Sequence, residues 1–454
     1  MRSKPTLPLS SGLRRGAAAL LTFALACASA HAATVQVEIG AQNGKVRMTP
    51  GATLVQNSLR DWGDPDALAR GTALLKQLYP YKNVHLMGWG TDNPQPSPGD
   101  YRWETLDQRV AQIRAAGGTP VITLCCAPDW MRGDPAGQTD WSRFTNAPIP
   151  EHFADFAELA RQVALRYPQV KHYQVWNEFK GFWNEAENRW DYEGYTRLYN
   201  LVYAALKGVN PAIKVGGPYT SVTAFNLIDV GHKSELRGPY GYVDQRVLDA
   251  IDYWLANKHG ADFLTVDGGL YNTSQETVPT RASPFAMMQY YADVNRWLRN
   301  RSSLPIWWAE WYVTDTFADK PYLPGYFNDK NQNALMSKAL LTMAPDVAVS
   351  LRWAPDGNAA RAPGGNQEST WRDTLLEDGS GGTPFPFAAS VREFRRCFAP
   401  GALLYTTRVS SADVAAYASA RCVALINQTD RAQNVAVIGK QVALAAYEVR
   451  YLDR

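Results

Sequence analysis

The chain has 454 residues, of which 46% are hydrophobic and 20% are charged. This length suits one large domain with a small second one, and the composition excludes an intrinsically disordered protein. A formal net charge of only +3 gives no indication of a nucleic-acid partner.

The N-terminus has the features of an export signal. Four basic residues up to Arg15 precede an apolar run at residues 16–27, and Ala30-His31-Ala32 then has the small-x-small pattern of a cleavage site. The run is too short to span a bilayer comfortably. We therefore predict a signal peptide at residues 1–32 and a periplasmic or secreted protein without stable membrane insertion. Beyond Ala32, 42 basic residues face 43 acidic ones, a formal charge of −1.

Short apolar runs alternate along the chain with stretches of helical periodicity. Eight consecutive strand–helix pairs predict a parallel sheet that closes into a (β/α)₈ TIM barrel, an α/β fold, over residues 51–399. The predicted strands are 53–55, 84–87, 120–125, 172–176, 213–215, 263–266, 306–309 and 347–353. The predicted helices are 65–78, 104–116, 151–166, 193–208, 243–258, 285–299, 332–343 and 386–397.

The C-terminal residues 400–454 have little helical periodicity and predict a small, sandwich-like β-sheet domain. Four runs in this segment are expected to be strands: 414–417, 422–427, 434–438 and 447–451. Residues 33–50 are expected to be an edge strand and linker, because Val35–Ile39 alternates apolar and polar side chains.

The cysteines indicate a structural role. Cys397 and Cys422 are 25 positions apart and straddle the boundary between the two predicted domains, so in an exported chain we predict a disulfide between them. Cys125 and Cys126 end an apolar run and are expected to be two buried small residues. No Cys-x-x-Cys or His-x-x-x-His spacing suggests a metal, and we expect no cofactor.

Two glutamates stand where a barrel carries its active site, at the C-terminal ends of strands. The fourth strand runs directly into Asn177-Glu178 and the seventh into Glu310. One such glutamate alone would most simply be a strand-end salt-bridge partner. Two of them facing one cavity are the minimum apparatus for cleaving a glycosidic bond, in which one carboxyl donates a proton and the other attacks the anomeric carbon.

These positions resemble clan A glycoside hydrolases, whose acid/base lies in an Asn-Glu-Pro motif. Further matches are Tyr101-Arg102-Trp103 with Leu106-Asp107, and Ala127-Pro128-Asp129-Trp130 after the third strand. Together with the C-terminal β-domain, these motifs resemble glycoside hydrolase family 39, which includes β-xylosidases and exopolysaccharide endoglycosidases. The proline of the family motif is Phe179 here, so the loop after the fourth strand is expected to follow another path.

The resemblance implies roles for individual residues. Glu178 would be the acid/base and Glu310 the nucleophile, while Asn177 would hydrogen-bond the sugar 2-hydroxyl. Tyr271 would donate to Glu310 or pack as a loop aromatic, and Trp353 would form the aromatic floor beneath the reacting sugar. The remaining candidates for substrate binding are His85, which is equally consistent with a core histidine, Trp89, Trp130 and Trp311. Asp267 is either a site residue or part of a turn with Gly268-Gly269.

The sequence therefore predicts an exported, retaining glycoside hydrolase that cleaves a poly- or oligosaccharide, such as an exopolysaccharide. Internal cleavage is expected because several tryptophans lie near strand ends. One alternative is an exo-acting enzyme of the β-xylosidase type. Another is a catalytically silent polysaccharide-binding protein on the same barrel, because fold alone does not separate the two classes.

Overall fold

The computed structural model describes residues 34–56, 58, 64–225, 232–271, 283–314, 330–357 and 369–454, without the side chains of Phe225, Tyr271 and Thr314. The predicted signal peptide lies outside these residues. In the described part of the chain, none of the helices combines the length and the apolar character needed to cross a bilayer.

The strands follow one another in the chain as β1 (Val35–Lys45), β2 (Thr49–Thr53), β3 (Tyr81–His85), β4 (Thr119–Leu124), β5 (His172–Val175), β6 (Trp183–Asn184), β7 (Arg189–Trp190), β8 (Lys214–Ser221), β9 (Ala224–Phe225), β10 (Lys233–Gly238), β11 (Gly241–Asp244), β12 (Phe263–Tyr271), β13 (Ile306–Thr314), β14 (Val347–Trp353), β15 (Leu403–Val409), β16 (Val414–Ser419), β17 (Cys422–Asn427), β18 (Gln433–Val437), β19 (Lys440–Leu444) and β20 (Val449–Asp453). The α-helices are α1 (Pro65–Leu78), α2 (Glu104–Ala115), α3 (Phe153–Arg166), α4 (Tyr192–Val209), α5 (Gln245–Asn257), α6 (Pro284–Met287), α7 (Gln289–Arg301), α8 (Gln332–Met343) and α9 (Pro386–Cys397).

Eight parallel strands close into a barrel in the order β2-β3-β4-β5-β8-β12-β13-β14, and β14 pairs again with β2. The predicted TIM barrel is confirmed. The first strand, expected at residues 53–55, lies instead at Thr49–Thr53. Its buried residues include proline and glycine, so it lacks the continuous branched-apolar run that marks the other strands.

Aromatic side chains fill the N-terminal end of the barrel. Trp307 stacks on Phe263 at 4.1 Å between ring centroids and on His172 at 5.4 Å, and Tyr81 meets its edge. These residues stand at or next to the first positions of their strands, so this end of the barrel is packed solid. The open end is the one at which the strands finish.

Capping fixes where several barrel helices begin. The Asp64 carboxylate accepts a hydrogen bond from the Asp66 backbone N–H ahead of α1, whose first residue is Pro65. Asp191 caps α4 and Asp244 caps α5 in the same way.

The C-terminal segment forms a separate sheet in the order β19-β18-β1-β15-β16-β17-β20. The sequence predicted that the N-terminal strand, β1, lies at the edge of this sheet, and that prediction is wrong. β1 lies inside it, parallel to β18 and antiparallel to β15. Val35 and Val37 are buried on the same face as Val435 and Val437, so the N-terminal strand completes the core of this sheet.

The disulfide between Cys397 and Cys422 is confirmed, with a Cα–Cα distance of 5.4 Å. It joins the end of α9 to the start of β17 and thereby links the last barrel helix to the sheet. Cys125 and Cys126 are buried as expected, but they are also bonded to each other directly after β4. From the sequence, only two buried residues were expected here, and this second bridge was not predicted.

Candidate active site

The loop that carries Glu178 has an unusual backbone. Directly after β5, the φ angles are +68° at Trp176, +50° at Glu178 and +54° at Phe179. Left-handed conformations are costly for non-glycine residues and cluster at functional sites. The Trp176 indole N–H donates to the Lys180 carbonyl at 2.8 Å, which holds the turn closed.

Phe179 explains the departure from the Asn-Glu-Pro motif. Its ring is fully buried against Tyr195, with 4.1 Å between centroids, and contacts Phe182. Proline fixes φ near −65° and could not adopt the +54° found here. The backbone at position 179 therefore has a conformation that a proline could not adopt.

Glu310 lies on β13 and is 5% exposed. Its Oε1 accepts a hydrogen bond from the Tyr219 hydroxyl at 2.5 Å and another from the Asn177 amide at 3.2 Å. Burial raises the pKa of Glu310 to about 7, against the lowering effects of the Lys180 ammonium and of these two donors. Asn177 thus connects the loop after the fourth barrel strand to the carboxylate on the seventh.

Lys180 is a basic residue in contact with Glu178 and Asn177. Its ammonium contacts Oε2 of Glu178 and donates to Oδ1 of Asn177 at 2.7 Å. The Glu178 side chain is 21% exposed, in contrast to the buried Glu310. Glu178 is therefore the carboxylate that an incoming ligand reaches first.

Asp267, on β12, is a third carboxyl group in the same place. It is fully buried, and neither carboxylate oxygen has a hydrogen-bond partner among the described residues. Burial, and after it the charge of Glu310, raises the pKa of Asp267 well above its ordinary value. The sequence left open whether Asp267 is a site residue or part of a turn, and the structure places it with Glu178 and Glu310.

One carboxylate oxygen of each of Glu178, Asp267 and Glu310 lies within 4.8 Å of the other two. Such a cluster has the ligand type that hard cations prefer. The cation that contacts it in this structure is the Lys180 ammonium, through Glu178. Glu178 and Glu310 therefore approach each other closely in this cluster.

Three predicted aromatic residues lie side by side at the strand ends. The His85 ring lies 4.3 Å from the Trp89 ring and 6.5 Å from the Trp353 ring. Burial and the nearby Lys180 charge lower the pKa of His85 to about 3, so the imidazole is neutral at ordinary pH. Trp89 and Trp353 remain partly exposed, and their role in substrate binding stays a prediction.

Trp311 and Trp130 were also predicted to bind substrate, and the structure shows them in other contacts. Trp311 is 1% exposed and packs edge-on against Tyr291 and Phe387, so this residue belongs to the core and its predicted role is wrong. Its position next to Glu310 on a strand turns its side chain to the opposite face. Trp130 donates to the Gln95 carbonyl at 2.9 Å and packs on His152.

Tyr271 ends β12, but its side chain lies outside the described residues, and its role stays a prediction. The tyrosine found donating to Glu310 is Tyr219, on β8. Sequence reasoning missed it because the predicted fifth strand stopped at Val215, four residues before Tyr219, whereas the observed strand ends at Ser221. Lys180 was missed as well, although its position two residues after Glu178 was a usable signal.

No family profile and no curated protein matches this sequence. Solved structures do match its fold. A family 39 β-xylosidase from Caulobacter crescentus has 18% identity and a TM-score of 0.55, with 89% of this chain and 83% of that one covered. A family 39 enzyme from Xanthomonas axonopodis pv. citri has 18% identity and a TM-score of 0.54, covering 87% and 74%.

An endo-β-1,6-glucanase has 12% identity and a TM-score of 0.58, with 91% of this chain and 92% of that one covered. At these identities, the comparisons establish a shared fold. That fold is the barrel with an attached sheet found in family 39 and related glycoside hydrolases, in agreement with the resemblance of the sequence motifs.

Proposed function

We propose that this protein is an exported, retaining glycoside hydrolase that acts on a β-linked poly- or oligosaccharide. The observation that carries the proposal is the placement of Glu178 and Glu310 oxygens within 4.8 Å of each other at the open end of the barrel. Retaining enzymes hold their two carboxyl groups about 5–5.5 Å apart, whereas inverting enzymes need about 6.5–9.5 Å.

In this proposal, Glu310 attacks the anomeric carbon while Glu178 protonates the departing glycosidic oxygen. A covalent glycosyl-enzyme forms on Glu310, and Glu178 then removes a proton from the water that hydrolyses it. Tyr219 and Asn177 stabilise Glu310 as a carboxylate by donating hydrogen bonds to it. The greater exposure of Glu178 suits the group that must reach the leaving oxygen and later a water.

In this proposal, the contact between Lys180 and Glu178 must open before Glu178 can donate a proton to the leaving oxygen. Asp267 is the neighbouring carboxyl whose raised pKa allows it to carry a proton in the resting site.

The test is hydrolysis of a glycan panel that includes xylan, β-1,6-glucan and bacterial exopolysaccharides, measured as released reducing ends. We expect at least one glycan to be cleaved, Glu310→Gln to abolish turnover, and Glu178→Ala to be partly rescued by azide, which needs no general base. Glu185→Gln is the matched control, because Glu185 is an exposed carboxylate on the same loop. Full activity of Glu310→Gln would exclude the assigned nucleophile.

The ion pair between Lys180 and Glu178 favours a second candidate. A polysaccharide-binding protein has no need of a protonated Glu178 and would retain the pair permanently. Such a protein would bind glycans from the panel without releasing reducing ends. Export rests on the signal-like residues 1–32 and is tested by the N-terminal sequence of the protein recovered from the periplasm or medium.

A further inference from the structure

An open cleft of about 300 Å³ lies beside Trp89. Its lining consists of Gln56, the segment 88–92, Trp141 and Phe144. The Trp89 and Phe144 rings meet edge to face at 5.1 Å, and the Phe144 and Trp141 rings lie 6.0 Å apart. Trp141 is 45% exposed, which is unusual for so large an apolar side chain.

A tight turn presents Trp89 to this cleft. Gly88 and Thr91 exchange two backbone hydrogen bonds of 2.9 and 3.1 Å, and the two residues between them have φ angles of +46° (Trp89) and +105° (Gly90). A left-handed tryptophan is strained, and such strain persists only where the surroundings enforce it. A Cβ atom on Gly88 would lie 2.4 Å from the Phe144 ring, so the glycine is what lets the two loops touch.

The loop that carries Trp141 is held by an ion pair and by hydrogen bonds to its backbone. Asp129 and Arg132 form a buried ion pair at 2.5 Å. Asp129 accepts the Asp140 backbone N–H at 2.7 Å, and Arg132 donates to the Arg143 carbonyl. These contacts hold the backbone on both sides of Trp141, at Asp140 and Arg143, and so limit where the loop can place its ring.

Trp89 and Lys180 connect the cleft to the proposed catalytic carboxylates. The Lys180 ammonium lies 5.5 Å from the centre of the Trp89 ring and contacts Glu178 on its other side. Of the two carboxylates, Glu178, which is assigned to the departing sugar, is the one linked to the cleft through Lys180 and Trp89. Glu310 is held by Tyr219 and Asn177.

We propose that this aromatic cleft is a binding subsite for an uncharged pyranose unit on the leaving-group side of the bond to be cleaved. The inference rests on the proposed function and extends it to internal cleavage of a chain. Aromatic faces stack on the apolar faces of sugar rings, and Gln56 and Asp92 supply exposed polar groups for the hydroxyls. Asp92 is the charged residue of the lining and would repel a uronate.

The test compares two substrates of the same sugar. A glycosyl fluoride leaves nothing in the cleft, whereas a tetrasaccharide fills it. The probes are β-xylosyl fluoride with xylotetraose, and β-glucosyl fluoride with β-1,6-linked glucotetraose. For a pair that is turned over, we expect Trp141→Ala to lower the ratio of kcat/KM for the tetrasaccharide to that for the fluoride at least tenfold. Phe144→Ala should lower it in the same direction.

Leu165→Ala is the matched control, because Leu165 is a similarly exposed apolar residue on helix α3, with 49% exposure. An unchanged ratio in Trp141→Ala would overturn the subsite. If neither substrate pair is turned over, the subsite is tested by measuring whether the Glu310→Gln variant binds to an array of neutral oligosaccharides. Binding that Trp141→Ala abolishes would support the subsite although the proposed function fails, whereas no binding, or binding that Trp141→Ala leaves intact, would overturn it.

Discussion

The Tyr219 hydroxyl donates a 2.5 Å hydrogen bond to Oε1 of Glu310, joining the fifth barrel strand to the seventh. Tyr219 is fully buried, and its φ angle of +49° turns the backbone sharply within β8. Burial raises the pKa of Glu310, and this donor is one of the groups that lower it and so favour the carboxylate form of the proposed nucleophile.

Tyr219→Phe removes that donor with little change in shape. A hydrogen bond to a charged group contributes about 1.5–3 kcal/mol, equivalent to roughly one to two pH units. Since the bond lowers the pKa of Glu310, its loss should raise that pKa and move the acid limb of the kcat/KM–pH profile upwards. Tyr253→Phe, on helix α5, is the control. An unchanged acid limb would mean that Tyr219 has no role in holding the charge.

Lys180→Met should also move the acid limb of the kcat/KM–pH profile upwards, because the Lys180 ammonium lowers the pKa of both Glu310 and Asp267. Lys180→Arg keeps the charge and should shift the limb much less. The measurement is the pH profile of kcat/KM on the best substrate of the panel. Equal profiles for the Met and Arg variants would show that the charge of Lys180 is immaterial.

Glu310→Gln should stabilise the protein at alkaline pH. The folded pKa of about 7 exceeds the ordinary 4.5, so the glutamate supports folding below pH 4.5 and loses that contribution as the pH rises through 7. The loss amounts to about 3 kcal/mol, and glutamine does not undergo it. Urea unfolding of both proteins between pH 4.5 and 8.5 tests this. A difference that stays constant over the range, as expected for Glu185→Gln, would contradict it.

Replacing Cys397 and Cys422 by alanine should lower the free energy of unfolding by about 3 kcal/mol, because the bond closes a long loop. The corresponding change at Cys125 and Cys126 should cost far less through chain entropy, since those residues are neighbours. Urea midpoints of the two double variants give the comparison. Equal losses would show that loop closure is not the source of the stabilisation.

The periodicity of the sequence predicted the barrel and its helix bounds well, because amphipathic helices and buried parallel strands have distinct patterns. Helix α9 was predicted at its observed bounds, Pro386–Cys397. β2 was misplaced because proline and glycine interrupt its apolar character. β1 was placed at a sheet edge, since alternation predicts a strand but not the number of its neighbours.

The same reasoning located Glu178 and Glu310 and left out the groups around them. Tyr219 lies beyond the predicted end of its strand. Its backbone is left-handed, which the periodicity of a sequence does not predict. Lys180 reaches the site because Phe179 turns the loop, which is a consequence of packing against Tyr195. Pair contacts of this kind depend on tertiary structure, whereas the carboxylates were marked by their positions at strand ends.

The central claim is that Glu310 attacks the anomeric carbon with Glu178 as acid/base. The most direct measurement is ¹H NMR of the first product released from the best substrate of the panel, recorded before mutarotation. The account predicts an initial product with the anomeric configuration of the substrate, because two carboxyls whose oxygens lie within 4.8 Å favour double displacement. An initial product of inverted configuration would contradict it.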